Sequence, residues 1–402
     1  MHSADATLTT QFELPPQPVF EGGYRPGVKF QFYGMFDRCL SIANVCTQLA
    51  SNLTRTVSGV ALHSYFEGPY FDPDLEAFAA MDRDAPIAMF YGLPDHVPDF
   101  FFRHQFRIGG FVCETDRIHS DWVRVCNRMD LVVVPSTFCR SAFISSGVTT
   151  PVLVVPHGLE PGYVPYPGLL KDGPFVFYNT FSADSFLERK SCEELIRCFL
   201  RAFDRRPDVI LRLRTQDSPK IDAYRRHYDF GAVIHVDPPQ AESTTEFAKI
   251  YSQVHCVVHP SKGEGFGLIP LQAIACETPV IAAPVTGMAD YLSDRNAVLL
   301  KTAGRVPGIG IGNQSGTYFR IDEDDLVKKM RYVYENWTNE KRKLRSVAAE
   351  FRRVHSWENA LSGFMTLARK IIAADDLAQA REIAGDTCRR QQGGHSSLAT
   401  AI

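Results

Sequence analysis

The chain alternates between short apolar runs of strand length and longer segments whose apolar residues recur every three to four positions. Val28–Tyr33 is the first run, followed by Gly34. Cys39–Leu53 then places Leu40, Ile42, Ala43, Val45, Cys46, Leu49 and Ala50 at helical spacing. Val57–His63, Ile87–Tyr91, Phe106–Glu114, Leu131–Pro135 and Val152–Pro156 read as further strands, with helices predicted at Trp122–Asn127 and Ser136–Gly147. Beyond residue 173 the rhythm restarts. Strands are predicted at Phe175–Asn179, Val209–Arg214, Ala232–His235, Val254–Val258 and Val280–Ala283, and helices at Cys192–Phe203, Thr244–Gln253 and Leu268–Ala275. Asp322–Trp337, Glu340–Arg353 and Trp357–Ala373 are amphipathic helices. Strands that alternate with helices imply an α/β protein with parallel sheets and helices on their faces.

Residues 159–173 break the pattern, being dense in proline and glycine with little periodicity, which marks an interdomain linker. The predicted organisation is an irregular lead-in over 1–26, a first domain over 27–158 and the linker over 159–173. A second domain over 174–356, a crossover helix over 357–374 and a polar tail over 375–402 complete it. Residues 302–318 carry five glycines and read as an extended surface loop without the strand–turn–helix context a phosphate loop needs.

Composition adds boundaries to this picture. At 402 residues the chain can build two cores, and its 45% apolar and 22% charged content is ordinary for a globular protein. A net charge of −3, with 17 acidic against 11 basic residues in the first 170, is a poor match to a polyanion and argues against a nucleic-acid partner. The ten cysteines are scattered and none has C-x-x-C spacing, which suggests reduced, buried thiols in a cytoplasmic protein rather than zinc ligands. No signal-peptide pattern and no apolar stretch of membrane-spanning length is present, so no transmembrane segment is expected; peripheral membrane contact stays compatible with the sequence.

The most informative chemistry lies in residues 255–291. An apolar strand ends at Pro260, and Ser261-Lys-Gly-Glu-Gly-Phe-Gly267 leads into the Leu268–Ala275 helix, which Thr278-Pro279 closes ahead of another strand. Strand, glycine-rich turn, helix and strand make a βαβ unit. The unpaired N–H groups at the helix start suit a phosphate. Glu264, within the same turn, suits sugar hydroxyls instead. Together they point to a nucleotide-sugar site.

This segment resembles the signature of retaining, GT-B fold glycosyltransferases of family 4: a Glu-Gly-Phe-Gly-Leu turn, a second acid eight residues on, then Ala-x-Ala-Cys-Gly-x-Pro-Val-Ile-Ala. The chain departs from that signature twice. Gln272 stands at the second acidic position, and Glu277 stands where glycine is usual. The run from Glu114-Thr-Asp116 through Asn127-Arg-Met-Asp-Leu-Val-Val-Val-Pro-Ser136 to Val154-Val-Pro-His-Gly158 is similar to the same enzymes, so the resemblance spans about Val28 to Ala373.

The resemblance implies two Rossmann-like domains facing across a cleft, with the last helix returning to the first domain. It implies transfer of a sugar from a nucleotide-sugar donor to a hydroxyl acceptor, with retention of configuration. Glu264 would contact the donor sugar, and Gly265, Phe266, Gly267 and Leu268 the diphosphate. Lys190 matches the family's basic residue for the diphosphate, with Arg189 beside it; the family arginine usually sits nearer the position of Asn179 and Thr180. At the Gln272 position the family carboxylate grips the ribose. Gly34 would lie in the first domain's cleft loop. His96, ahead of His104, is the candidate for the histidine near the donor sugar, and Glu114 could bind the acceptor, orient a loop, act as a cap or form a salt bridge. No cofactor is expected, and no metal is required because Lys190 and the helix end can neutralise the leaving group. An inactive nucleotide-sugar-binding or scaffold protein, signalled by Gln272 and Glu277, and a transferase acting on modified nucleic acid are the alternatives.

Overall fold

The computed structural model describes residues 27–36, 41–66, 71–181, 187–238, 243–308 and 314–393; the predicted lead-in over 1–26 lies outside them. The N-terminal half contains β1 (Phe30–Gly34), α1 (Ser41–Thr56), β2 (Val60–Ser64), α2 (Pro73–Glu76), β3 (Ile87–Gly92), β4 (Phe106–Phe111) and β5 (Arg117–Ile118). Then come α3 (Ser120–Cys126), β6 (Leu131–Val134), α4 (Thr137–Ser145) and β7 (Val152–Val154). All of its strands except β5 form one parallel sheet in the order β2-β1-β3-β4-β6-β7. Phe30, Phe32 and Tyr33 are all fully buried although they point to both faces, as expected when helices cover both sides of a parallel sheet.

The C-terminal half repeats the scheme with β8 (Phe175–Thr180), α5 (Cys192–Phe203), β9 (Val209–Arg214), α6 (Pro219–Tyr228), β10 (Ile234–Asp237) and α7 (Thr244–Ser252). It continues with β11 (Cys256–His259), α8 (Leu268–Ala275), β12 (Val280–Ala282) and β13 (Val298–Leu299). Its parallel sheet runs β10-β9-β8-β11-β12-β13. The periodicity placed α5, α8 and β9 at their observed bounds. It missed α6, whose start is marked by Ser218 capping the Ile221 N–H and by Pro219 in the first turn.

Two stretches differ from the sequence reading. The glycine-rich 302–318 is not a plain surface loop: β14 (Thr302–Pro307) pairs antiparallel with β16 (Thr317–Ile321), and β15 (Gln314–Ser315) pairs with β5 of the N-terminal half. Gly310 and Gly312 of that stretch lie outside the described residues. Asp116 anchors the arm by accepting from the Thr317 N–H at 2.7 Å and from Arg305 at 2.5 Å. Glycine content hid strands whose partners are remote in sequence.

The helices α9 (Glu323–Val354) and α10 (Trp357–Ile372) follow. Within α9 the backbone is non-helical at Asn336 (φ −118°, ψ 16°), so two helices meet there across a kink, as the two predicted amphipathic segments require. Trp357, Leu361, Phe364, Ala368 and Ile371 of α10 join the N-terminal core, so this helix does return to the first domain. The outgoing and returning strands of chain lie side by side, with the Leu159 N–H donating to the His355 carbonyl at 2.8 Å.

Most of the predicted polar tail is a helix, α11 (Leu377–Gly393), and residues 394–402 lie outside the described ones. Its buried Ala380, Ala384 and Cys388 recur every four residues, a stripe of small residues that a search for large apolar side chains overlooks. Gln391 completes the contact by accepting from the Val154 N–H at 2.9 Å and donating to its carbonyl at 2.8 Å, which caps the sheet edge. The nine cysteines among the described residues are free and buried. Among the same residues no helix is long and apolar enough to cross a membrane.

Candidate active site

In an open parallel sheet, ligands bind beyond the carboxyl ends of the strands where the strand order reverses. In the C-terminal sheet that point lies between β8 and β11. The segment leaving β8 carries Arg189 and Lys190 just ahead of α5, and β11 ends on His259 ahead of the 260–267 turn. These three residues and Glu264 converge there.

Oxygen Oε1 of Glu264 receives three groups: Lys190 Nζ at 2.5 Å, His259 Nε2 at 3.1 Å and Arg189 Nη1 at 3.3 Å. The Glu264 N–H donates to Thr286 Oγ1 at 3.0 Å, and the Gly287 N–H donates to its carbonyl at 2.9 Å. Backbone and one carboxylate oxygen are thereby fixed. Burial opposes ionisation of Glu264, but Lys190, Arg189 and His259 outweigh it and hold the carboxyl well below its usual range. Burial and the neighbouring Arg189 pull Lys190 below its ordinary value.

Arg189 is only 4% exposed. Its Nη1 donates to the Gly263 carbonyl at 2.7 Å and its Nη2 reaches Glu114 of the N-terminal half at 2.9 Å. Burial, with Glu264 adding to it, raises the Glu114 carboxyl above the ordinary range against the pull of Arg189. Of the readings open for Glu114, the salt bridge is the one present, and it spans the two domains.

The glycines of the turn serve two different ends. A Cβ on Gly263 would come within 2.4 Å of the Glu114 carbonyl oxygen, and one on Gly265 within 2.1 Å of Val112 Cγ1. These two let the turn press directly on the first domain. Gly267 instead has a left-handed backbone (φ 94°) that opens α8 without a side-chain cap. Pro270 has no N–H, so the uncapped donors of this helix start are those of its first residues. Ser136 donates to the Gly265 carbonyl at 2.7 Å, and the Thr137 N–H to Asp290 at 2.8 Å, tying α4 to the same surface.

The departures from the family signature have physical settings. Gln272, on α8 and 8% exposed, accepts from the Tyr251 hydroxyl at 3.1 Å. Glu277 has a left-handed backbone (φ 57°), the conformation that makes glycine usual there, and its carboxylate lies 3.3 Å from Arg345. Ser191 (φ 54°) and Thr286 (φ 55°) share that conformation and flank Lys190 and Glu264, so two strained residues brace the site.

The first-domain candidates have local settings of their own. Gly34 ends β1, with no positive φ, and a Cβ there would touch Phe32, Phe36 and Cys46. His96 is half-buried on the turn after β3, its ring centroid 6.2 Å from that of Tyr65. His104 is a core histidine: it donates Nδ1–H to the Ala85 carbonyl at 2.7 Å, and Nε2 meets the Tyr33 hydroxyl at 3.1 Å. Sequence reasoning gave no role to His259 or Thr286. His259 had a signal, since it is the polar last residue of a central apolar strand, the position that faces a switch-point ligand. Thr286 had none in the sequence.

Residues 189–364 match the model of a family described as family 4 glycosyltransferase in conflict systems. A D-inositol 3-phosphate glycosyltransferase of Kineococcus radiotolerans is 41% identical over 87 residues, 22% of this chain and 18% of that protein, so the chain matches under a fifth of its length. Sucrose-phosphate synthase from Thermosynechococcus elongatus superposes with a TM-score of 0.65 at 17% identity, covering 86% of this chain and 99% of the other. Anabaena HepE, solved in complex with UDP-glucose, gives a TM-score of 0.65 at 13% identity over 85% and 99% of the two chains. The chain therefore has the GT-B fold, and its residues 189–364 are similar to the family 4 glycosyltransferases.

Proposed function

We propose that this protein transfers a sugar from a nucleotide-sugar donor to a hydroxyl acceptor with retention of anomeric configuration. The carrying observation is the arrangement at Glu264: three donors converge on Oε1, which leaves Oε2 to accept from a sugar hydroxyl. Such a carboxylate, held before substrate arrives, needs little reorganisation during reaction. HepE, the neighbour solved with UDP-glucose, and the glycosyltransferase relative support a nucleotide-sugar donor.

In this reading the leaving diphosphate lies at the start of α8, near the N–H groups of Phe266, Gly267 and Leu268. Lys190 bridges Glu264 and the phosphate, since one of its three N–H bonds goes to Glu264 and two remain. As the sugar–phosphate bond breaks, charge grows on the phosphate oxygens and Lys190 stabilises it; no metal is called on. Arg189 acts differently from Lys190. Its guanidinium is taken up by Gly263, Glu114 and Glu264, so it positions the turn instead of touching the donor. Gln272 contacts the ribose side without charge, and the acceptor enters from the N-terminal half.

The test is a thermal-shift panel of nucleotide sugars and free nucleotides, followed by turnover with the members that bind. A ligand at 100-fold above its Kd adds roughly 2.7 kcal/mol of stability. Glu264→Ala protein should lose turnover; full activity would sink the assignment. No shift with any member would favour the scaffold reading.

A further inference from the structure

We infer that His259 is a positioning residue for Glu264, an inference that rests on the catalytic reading of that carboxylate. His259 is 2% exposed, ends β11 and lies five residues before Glu264, with Nε2 at 3.1 Å from Oε1. Burial keeps the imidazole below its ordinary pKa, as do Lys190 and Arg189, against the pull of Glu264. A neutral ring facing an ionised carboxylate must present Nε2–H, which fixes the tautomer.

The geometry gives this bond a task that the two cations cannot perform. Lys190 and Arg189 come from a different segment, the one before α5, and approach the same oxygen as His259. The imidazole is rigid and comes from the strand that carries the turn. It therefore sets which way the carboxylate plane faces, keeping Oε1 toward the protein and Oε2 toward the cleft. A misplacement of about 1 Å at such a group costs on the order of 10²-fold in rate.

The groups facing Glu264 are Lys190, Arg189, His259, Glu114, Tyr291 and Tyr318. Removing His259 takes away one of the interactions that lower the Glu264 pKa, so its titration midpoint must rise. Glutamine at 259 can still offer an N–H, and leucine cannot.

Wild-type, His259→Leu and His259→Gln proteins test this. ¹⁵N NMR of the wild-type imidazole should report the Nε2–H tautomer at neutral pH. ¹³C NMR of the Glu264 carboxyl should show an upward shift of its midpoint in His259→Leu and its recovery in His259→Gln. In turnover with UDP-glucose, or with the nucleotide sugar that the panel selects, His259→Leu should lower kcat by roughly 10- to 100-fold with little change in KM. His259→Gln should regain most of that loss. An Nδ1–H tautomer, an unmoved Glu264 midpoint or a wild-type kcat in His259→Leu each overturns the inference. Full activity in Glu264→Ala instead overturns the catalytic reading, whatever the His259 variants do.

Discussion

The two halves of this molecule have closely matched six-stranded parallel sheets and opposite chemistry at their strand ends. Beyond the C-terminal strands lie Arg189, Lys190 and Glu264, nearly buried and charged, with His259 among them. In the N-terminal half, the side chains near the ends of β1 and β3 are tyrosines paired with neutral histidines: Tyr33 with His104, and Tyr91 with His157 at 2.8 Å. The first arrangement stores a field that a phosphate or a sugar hydroxyl can use. The second satisfies its own hydrogen bonds inside a core and has little to offer a ligand. Topology supplies a place for a site, and the residues at the strand ends decide whether one is built.

Matched substitutions at the two sites test this contrast most sharply. Lys190→Ala should lower transfer by roughly 10²- to 10³-fold, the loss typical of one preorganised donor to a developing charge. Steady-state kinetics with the donor from the panel measures it, and a loss under threefold, or about 0.6 kcal/mol, would remove the leaving-group role. Gly265→Ala should come next. Its methyl group would press on Val112 Cγ1, and such overpacking costs about 1–3 kcal/mol. Calorimetry should show a lower Tm, because the contact joins the turn to the first domain.

Buried histidines in both halves titrate differently from Glu264. Burial takes His157 down to about 3, and takes His255 and His355 down to about 4. Unfolded histidines titrate near 6.5, so below that pH the unfolded chain binds more protons than the folded one. The stability from these neutral histidines is complete above about pH 6.5 and is lost as pH falls toward 4. Glu264 is a depressed carboxyl, so its contribution is complete above the ordinary carboxylate range and is lost as pH falls from that range through its lowered folded value. Tm should therefore be level from pH 8 to 7 and decline between about 6.5 and 4. A flat profile down to pH 4.5 would contradict the histidine assignment. The smallest effect is expected from Tyr33→Phe, which removes the bond to His104: about 1 kcal/mol of stability and unchanged kcat. A tenfold loss of kcat there would show that the first domain's histidine cluster takes part in turnover.

The legible part of this protein was local. Apolar periodicity placed α5, α8 and β9, the Pro- and Gly-rich stretch at 159–173 marked the passage between the two sheets, and the Glu264 turn stood out by its glycines. The arm at 302–321 and the helix after residue 376 were misread. The arm's strands pair with each other and with β5, some 200 residues away, and α11 is held by alanines rather than large apolar side chains.

What the sequence determined alone was the βαβ alternation, the turn that bears Glu264 and its two departures at Gln272 and Glu277, because these depend on residues within a few positions of each other. Tertiary structure decided the rest of the site. It tied Arg189 to Glu114 and Glu264, and it brought His259 to the Glu264 carboxylate and the Thr286 hydroxyl to the Glu264 N–H. It also gave the glycines at 263 and 265 a reason unrelated to backbone conformation. Apart from His259, five residues before Glu264, those roles rest on contacts between segments remote in sequence, set only when the two sheets and their crossing helices pack.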